Sequence, residues 1–108
     1  MATTSYRANV GLNASASYTT TTQIDLLTES QNFVGSEGAT VYCFSTQDGT
    51  LDINYIDLNG NARSLQTESI TANTLKVVDL GFRVPNFQLL FTPAAAVAGD
   101  VTVEAYTY

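Results

Sequence analysis

From Tyr6 to Thr19 the chain sorts its residues by parity. Tyr6, Ala8, Val10, Leu12, Ala14, Ala16 and Tyr18 occupy even positions, whereas Arg7, Asn9, Gly11, Asn13, Ser15, Ser17 and Thr19 occupy odd ones. Successive side chains of a strand point to opposite faces, so this pattern describes an extended segment lying on an apolar surface. Composition alone would suggest a flexible tail, since eight of the first twenty-one residues are Ser or Thr. A disordered segment, however, has no reason to sort its residues in this way. Ile24 and Leu26 keep the parity. Twenty extended residues would span ~65 Å, longer than a domain of this size is wide. Residues 5–27 must therefore either fold back as two strands, with Gly11 or the Thr19–Thr22 run as the bend, or leave their own domain.

The same period recurs downstream. In TLDINYID, Leu51, Ile53 and Tyr55 share one face and Asp52 and Asn54 the other, and Asn59-Gly60 follows as a tight-turn dipeptide. ATVYCFS, ARSLQTESI, TLKVVDL, NFQLLF and VTVEAYTY read as further strands, separated by Asp-Gly, Asn-Gly, Ala-Asn, Val-Pro-Asn and Ala-Gly-Asp. NFQLLF and VYCF are apolar on both parities, which predicts strands covered on both faces. No segment repeats apolar residues at helical spacing. The expected fold is all-β: a single antiparallel sandwich, jelly-roll-like, with an extended, β-forming N-terminal arm. The expected division is an arm over residues 1–21 and a sandwich over 22–108. With 108 residues there is room for one core.

Chemistry is constrained mainly by what is missing. The chain has no histidine and one cysteine, so it has neither an imidazole-activated nucleophile nor a thiolate metal cage. Cys43, within TVYCFS, is expected to be a small buried hydrophobe. Asp48 with Asp52 or Asp57 could in principle form a glycosidase pair, but Asp52 and Asp57 fall on opposite parities of one strand. DLNGNA at 57–62 places its glycine too early for a calcium loop and reads as a hairpin turn. Asn13 opens an NAS triplet that, without a secretory leader, is attributed to chance. No enzyme activity, cofactor or metal is expected.

Ten acidic residues against four basic ones give a net charge of −6, which disfavours nucleic acid and anionic membranes as partners. The first residues resemble no signal peptide, and no apolar run is long enough to span a bilayer. Only 13% of residues are charged. A weakly charged polar surface suits contact with protein, because few ions need desolvation when a partner lands. Two segments stand out as contact candidates. One is TPAAAVAGD, in which Ala94, Ala95, Ala96 and Val97 form either a capping loop or turn, or an apolar tip against a partner. The other is the C-terminal strand, where Tyr106 and Tyr108 face outward if Val101, Val103 and Ala105 face the core.

Residues 33–108 resemble a group of small jelly-roll or galactose-binding-like β-sandwich domains in virion structural proteins of tailed bacteriophages. The likeness rests on Phe44-Ser45, on Asp48-Gly49-Thr50-Leu51, on Thr71-Ala72-Asn73-Thr74 with Lys76, and on Phe87 to Pro93. That group's tryptophan after the hairpin turn is absent here, where NGNARSL stands. The resemblance, together with the absence of a second domain, implies a capsid decoration (cement) protein. Such a protein sits on the outside of the phage head, is made in the host cytoplasm, and binds the major capsid protein at subunit junctions. It would be a homo-oligomer, with a trimer as the first expectation and a dimer as the second. On this reading Tyr6, Arg7, Val10, Leu12 and Tyr18 are arm contacts that add a strand to a neighbour's sheet, and Ala94–Val97 form a second contact. The alternatives are a fibre or tail component, and a carbohydrate-binding module using Tyr42, Tyr55, Tyr106 and Tyr108.

Overall fold

The computed structural model describes residues 11–29, 37–83 and 86–108. Eight strands follow one another: β1 (Gly11–Tyr18), β2 (Ile24–Glu29), β3 (Ala39–Ser45), β4 (Gly49–Ile56), β5 (Ala62–Ile70), β6 (Lys76–Leu80), β7 (Phe87–Pro93) and β8 (Gly99–Thr107). They form two four-stranded sheets, ordered β1-β8-β3-β6 and β2-β7-β4-β5, and every pairing is antiparallel. Apart from the β4–β5 hairpin, each consecutive pair of strands lies in opposite sheets, so the chain crosses the sandwich at almost every turn. This is the jelly-roll arrangement. The all-β sandwich read from the sequence is thus the fold observed, and no helix occurs among the described residues.

Alternation explains the core. From the first sheet, Val41, Cys43, Val78, Leu80, Val101, Val103 and Ala105 point inward; from the second come Leu51, Ile53, Ile70, Phe87, Leu89 and Phe91. Each large side chain buried in this way contributes about 1.5–3 kcal/mol relative to exposure. Close packing demands glycine at Gly49, because a Cβ there would lie 2.3 Å from the Phe91 ring and 2.7 Å from the Thr92 carbonyl oxygen. Cys43 is fully buried as expected, and burial pushes its thiol up to about 11, so it stays neutral and unreactive.

The N-terminal alternation has its cause inside the same chain. Residues 11–18 are β1, paired with β8 from Gly11↔Tyr106 to Tyr18↔Gly99, and the bend falls at Thr19–Thr21. The segment folds back as two strands, β1 in one sheet and β2 in the other. Residues 11–18, placed by the expected division in an arm, thus form the edge strand of the first sheet. Its even positions face the core, with Leu12, Ala14 and Ala16 half-buried and Tyr18 buried. The parity ends at a bulge between Asp25 and Leu27, which leaves Leu26 and Leu27 both against the core.

The turns follow their chemistry. Gly60 has φ +84°, and its N–H donates to the Asp57 carbonyl at 3.0 Å, while Asp57 N–H donates to the Asn61 carbonyl at 2.9 Å. Leu58 and Asn59 are thus the central turn residues, and Gly60 supplies the left-handed position of a three-residue hairpin loop. Asn59 itself has no positive φ, so this is not the two-residue Asn-Gly turn the dipeptide predicts. Asp48-Gly49 joins the two sheets instead of closing a hairpin.

Candidate contact surface

One end of the sandwich gathers four connections: Thr19–Gln23, Thr46–Asp48, Thr71–Leu75 and Ala94–Ala98. They are stitched together by hydrogen bonds. Asn73 N–H donates to the Ser45 carbonyl (2.8 Å) and Ala72 N–H to the Asp48 carboxylate (2.8 Å). Ala94 N–H donates to the Asp48 carbonyl (3.0 Å) and Thr46 N–H to the Asp100 carbonyl (3.0 Å). Asn73 sits at φ 58°, a conformation asparagine tolerates, and lets the Thr71–Thr74 turn close. The Tyr18 and Ser45 hydroxyls share a buried 2.7 Å hydrogen bond beneath these loops, and the Tyr18 ring lies against Gly99 and 5.6 Å from Phe91.

This end has concavities. A pocket of about 310 Å³ lies beside Tyr18, Thr19, Thr20 and Gln23, and another of about 340 Å³ is lined by Ser15–Ser17 and Asp100–Thr102. Asp100 is the one carboxylate among their lining residues. Among the described residues no group of three metal-ligating side chains converges. Ala94–Val97 form an exposed loop without helical structure, held by Ala94 N–H to Asp48 and Val97 N–H to the Ala95 carbonyl (2.9 Å).

The outer faces of the two sheets differ in kind. On the β2-β7-β4-β5 sheet, polar side chains bond to one another across the strands. Thr28 donates to Asp25 (2.8 Å), and the Gln88 amide reaches Asp25 (3.4 Å) and accepts from Asn54 (3.2 Å). Asp52 accepts from Gln23 (3.2 Å) and Thr67 (3.0 Å). On the β1-β8-β3-β6 sheet the outward positions of β3, β6 and β8 instead carry Tyr42, Phe44, Val77 and Tyr106, with Leu75 just before β6. Phe44 is 39% exposed, Leu75 56%, Val77 50% and Tyr106 46%. Tyr42 lies opposite both Val77 and Glu104, and its ring meets that of Tyr106 edge-on at 5.9 Å. Tyr106 donates to Glu104 (3.3 Å) and Tyr108 to Asp79 (2.8 Å). The Glu104 charge and hydrogen bond raise the Tyr106 phenol above its ordinary pKa, and the hydrogen bond to Asp79 does the same for Tyr108.

The contact residues expected from sequence are now placed. Tyr6, Arg7 and Val10 lie outside the described residues. Leu12 and Tyr18 pack on the interior of their own sandwich, Leu12 half-buried and Tyr18 buried, so their parity follows an intramolecular core. Ala94–Val97, Tyr106 and Tyr108 are exposed. Of the tyrosines considered for sugar binding, Tyr55 packs on the core, whereas Tyr42, Tyr106 and Tyr108 share the outer face of one sheet. Sequence reasoning passed over Phe44, Leu75 and Val77. The signal for Phe44 was present in VYCF, which reads as doubly covered, yet only Val41 and Cys43 are buried.

No family model and no curated protein matches the chain. Solved structures share its fold. The PBSX exported protein XepA superposes with a TM-score of 0.75 at 13% identity, over 99% of this chain and 39% of that one. The chain thus spans well under half the length of XepA. The Yersinia pseudotuberculosis-derived mitogen superposes at 0.60 with 9% identity, covering 93% of this chain and 87% of that one. The SPBc2 prophage-derived protein YomS gives 0.54 at 14% identity, over 92% and 96%. At such identities the likeness is one of fold, and the fold serves proteins as different as a mitogen and a prophage product.

Proposed function

We propose that this chain is a structural virion protein, specifically a capsid decoration protein that acts through contact area. The observation that carries the proposal is the uncovered apolar face of the β1-β8-β3-β6 sheet, where Tyr42, Phe44, Leu75, Val77 and Tyr106 project beside one another. Aromatic residues, with charge kept to the margin, are what the centre of a protein contact requires. The fold shared with a prophage-derived protein accords with a phage setting.

In this reading the face binds the major capsid protein on the exterior of the head, at the junctions between subunits. The Ala94–Val97 tip provides a second contact, either to the shell or between copies, with a trimer expected before a dimer. Many copies on one symmetric shell turn modest individual contacts into durable attachment. Tyr6, Arg7 and Val10 are proposed to contribute through the segment before β1.

A second reading draws on the same face. Exposed tyrosine rings beside Glu104 and Asp79 are the equipment of a carbohydrate site, in which rings stack on sugars and carboxylates accept from hydroxyls. One experiment separates the two: co-sedimentation with undecorated phage shells, followed by imaging, alongside a broad glycan panel. Saturable binding at a fixed number of copies per capsid subunit is expected. Density only at the tail vertex would replace decoration by a tail or fibre role, and glycan binding without shell binding would establish the sugar module.

A further inference from the structure

The apolar face of the first sheet contains a concavity of about 160 Å³ lined by Tyr42, Phe44, Leu75, Thr102 and Glu104. Its composition is specific. Two aromatic rings and a leucine form an apolar seat, a threonine stands at one side, and a carboxylate stands at the wall directly across from Tyr42. An apolar ligand would leave the Glu104 carboxylate without a counter-charge, and an anion would be repelled by it. A cation on an alkyl stem satisfies every wall: the stem packs on Leu75 and Phe44, a ring face attracts the charge, and Glu104 neutralises it.

The surroundings carry the same sign. The charged residues that the strands place on this outer face are Asp79, Asp100 and Glu104, all acidic. Lys76, although next to Leu75 in sequence, turns the other way and pairs with Glu68 at 3.2 Å. Arg63 belongs to the other sheet and pairs with Asp57 at 3.2 Å. Among the described strand residues, the face therefore presents apolar rings edged by acidic side chains. Two copies of it would meet acid against acid, which argues against a second copy of this chain as the occupant.

We propose that this concavity is the receptor for an arginine side chain of a partner protein, and that it fixes where that partner docks. Arginine is favoured over lysine because its planar guanidinium stacks on a ring while donating along its edge to a carboxylate. The inference deepens the contact-face reading above and rests on it only for the identity of the partner.

The test uses the whole labelled chain and a small probe. N-acetyl-arginine amide is titrated while the backbone and aromatic resonances are followed, with N-acetyl-citrulline amide as the neutral, nearly isosteric control. Saturable shifts centred on Tyr42, Phe44, Leu75 and Glu104 are expected for arginine, with a Kd of about 1 mM, as befits a fragment of this size. Glu104→Gln, a change at a solvent-facing position, is expected to weaken binding about fivefold, and Tyr42→Leu by two- to fivefold (roughly). No saturable shift, equal shifts with citrulline, or binding insensitive to Glu104→Gln would overturn the proposal. So would sedimentation showing that Phe44→Thr breaks a homodimer, since the occupant would then be another copy. Failure to bind phage shells would leave this result untouched, so the two readings fail separately.

Discussion

The two sheets of this sandwich have equivalent inner faces and opposite outer ones. Inside, both supply alternate apolar side chains to one core. Outside, the β2-β7-β4-β5 sheet bonds polar side chains to one another: Asp25, Thr28, Gln88 and Asn54 form a run of hydrogen bonds across three strands, and a separate bond joins Thr67 of β5 to Asp52 of β4. The β1-β8-β3-β6 sheet leaves Phe44, Leu75 and Val77 in solvent beside tyrosines and acids. Hydrogen bonds within the chain occupy many of the side chains on the first surface, whereas the second leaves apolar side chains uncovered. The difference teaches where to look for selection unrelated to stability, since an exposed apolar face contributes little to the fold and adds a liability to association.

Substitutions test this contrast. The largest effect belongs to the shared interior: Phe91→Ala removes a fully buried ring and is expected to lower unfolding free energy by about 3–5 kcal/mol in urea titrations. Such a loss would show that the sheets are one cooperative unit; a loss confined to one of them, read by site-resolved hydrogen exchange, would show two. Tyr18→Phe comes next, at about 1–1.5 kcal/mol, because it removes one of the two hydrogen bonds of the buried Ser45 hydroxyl, which still accepts from Gln47 N–H. A neutral result would mean that the clasp between β1 and the loop end is dispensable.

The outer faces are then compared directly. Gln88→Ala, which cuts the polar run at its centre, is expected to cost ~1 kcal/mol and leave partner binding intact. The double replacement Phe44→Thr, Val77→Thr is expected to change stability by no more than ~0.5 kcal/mol while abolishing binding to the partner. If the effects exchange places, the apolar face is structural and the contrast collapses.

Smallest are the pH effects, which divide by face. Hydrogen bonds from Asn61 N–H, then Asn59 N–H and Arg63, hold the Asp57 carboxyl below its ordinary value; the Gln66 amide and then Lys76 do the same for Glu68. Depressed carboxyl groups stabilise above their unfolded values, about 3.9 and 4.3, and that contribution is lost as pH falls through the folded values. Tyr106 and Tyr108 are raised, so their contribution is present below about pH 10 and lost as pH rises through the folded values. Acid should loosen the β4–β5 region first and alkali the outer face of the first sheet, as followed by residue-resolved NMR. Asp57→Asn should flatten the acid response alone.

Much of this was legible from residues. Strands β3 and β5 fall where ATVYCFS and ARSLQTESI place them, because alternation and turn residues are local signals. The parity of the N-terminal segment correctly predicted extended structure over the residues described, but parity cannot say whose surface a strand lies on. Leu12 and Tyr18 were therefore assigned to a neighbour when they serve their own core. The opposite error occurred at VYCF, where apolar residues on both parities imply cover on both faces without saying that the second cover belongs to this chain. The concavity at Tyr42, Phe44, Leu75 and Glu104 was illegible for a different reason. It assembles residues from β3, β8 and the approach to β6, and only register brings them together.

The position of β8 has a consequence for how the molecule comes into being. It is the last strand in sequence, yet it lies between β1 and β3 in the interior of its sheet. During synthesis β1 emerges early and waits for a partner that follows some eighty residues later, about 4–16 s at common translation rates. Until then β1 has no neighbour and β3 lacks one, so the first sheet cannot assemble on the ribosome ahead of its final strand. A nascent chain halted before Gly99 would hold the second sheet complete but only the β3–β6 pair of the first to cover it, which makes stalled synthesis a condition under which part of the core lies open to aggregation.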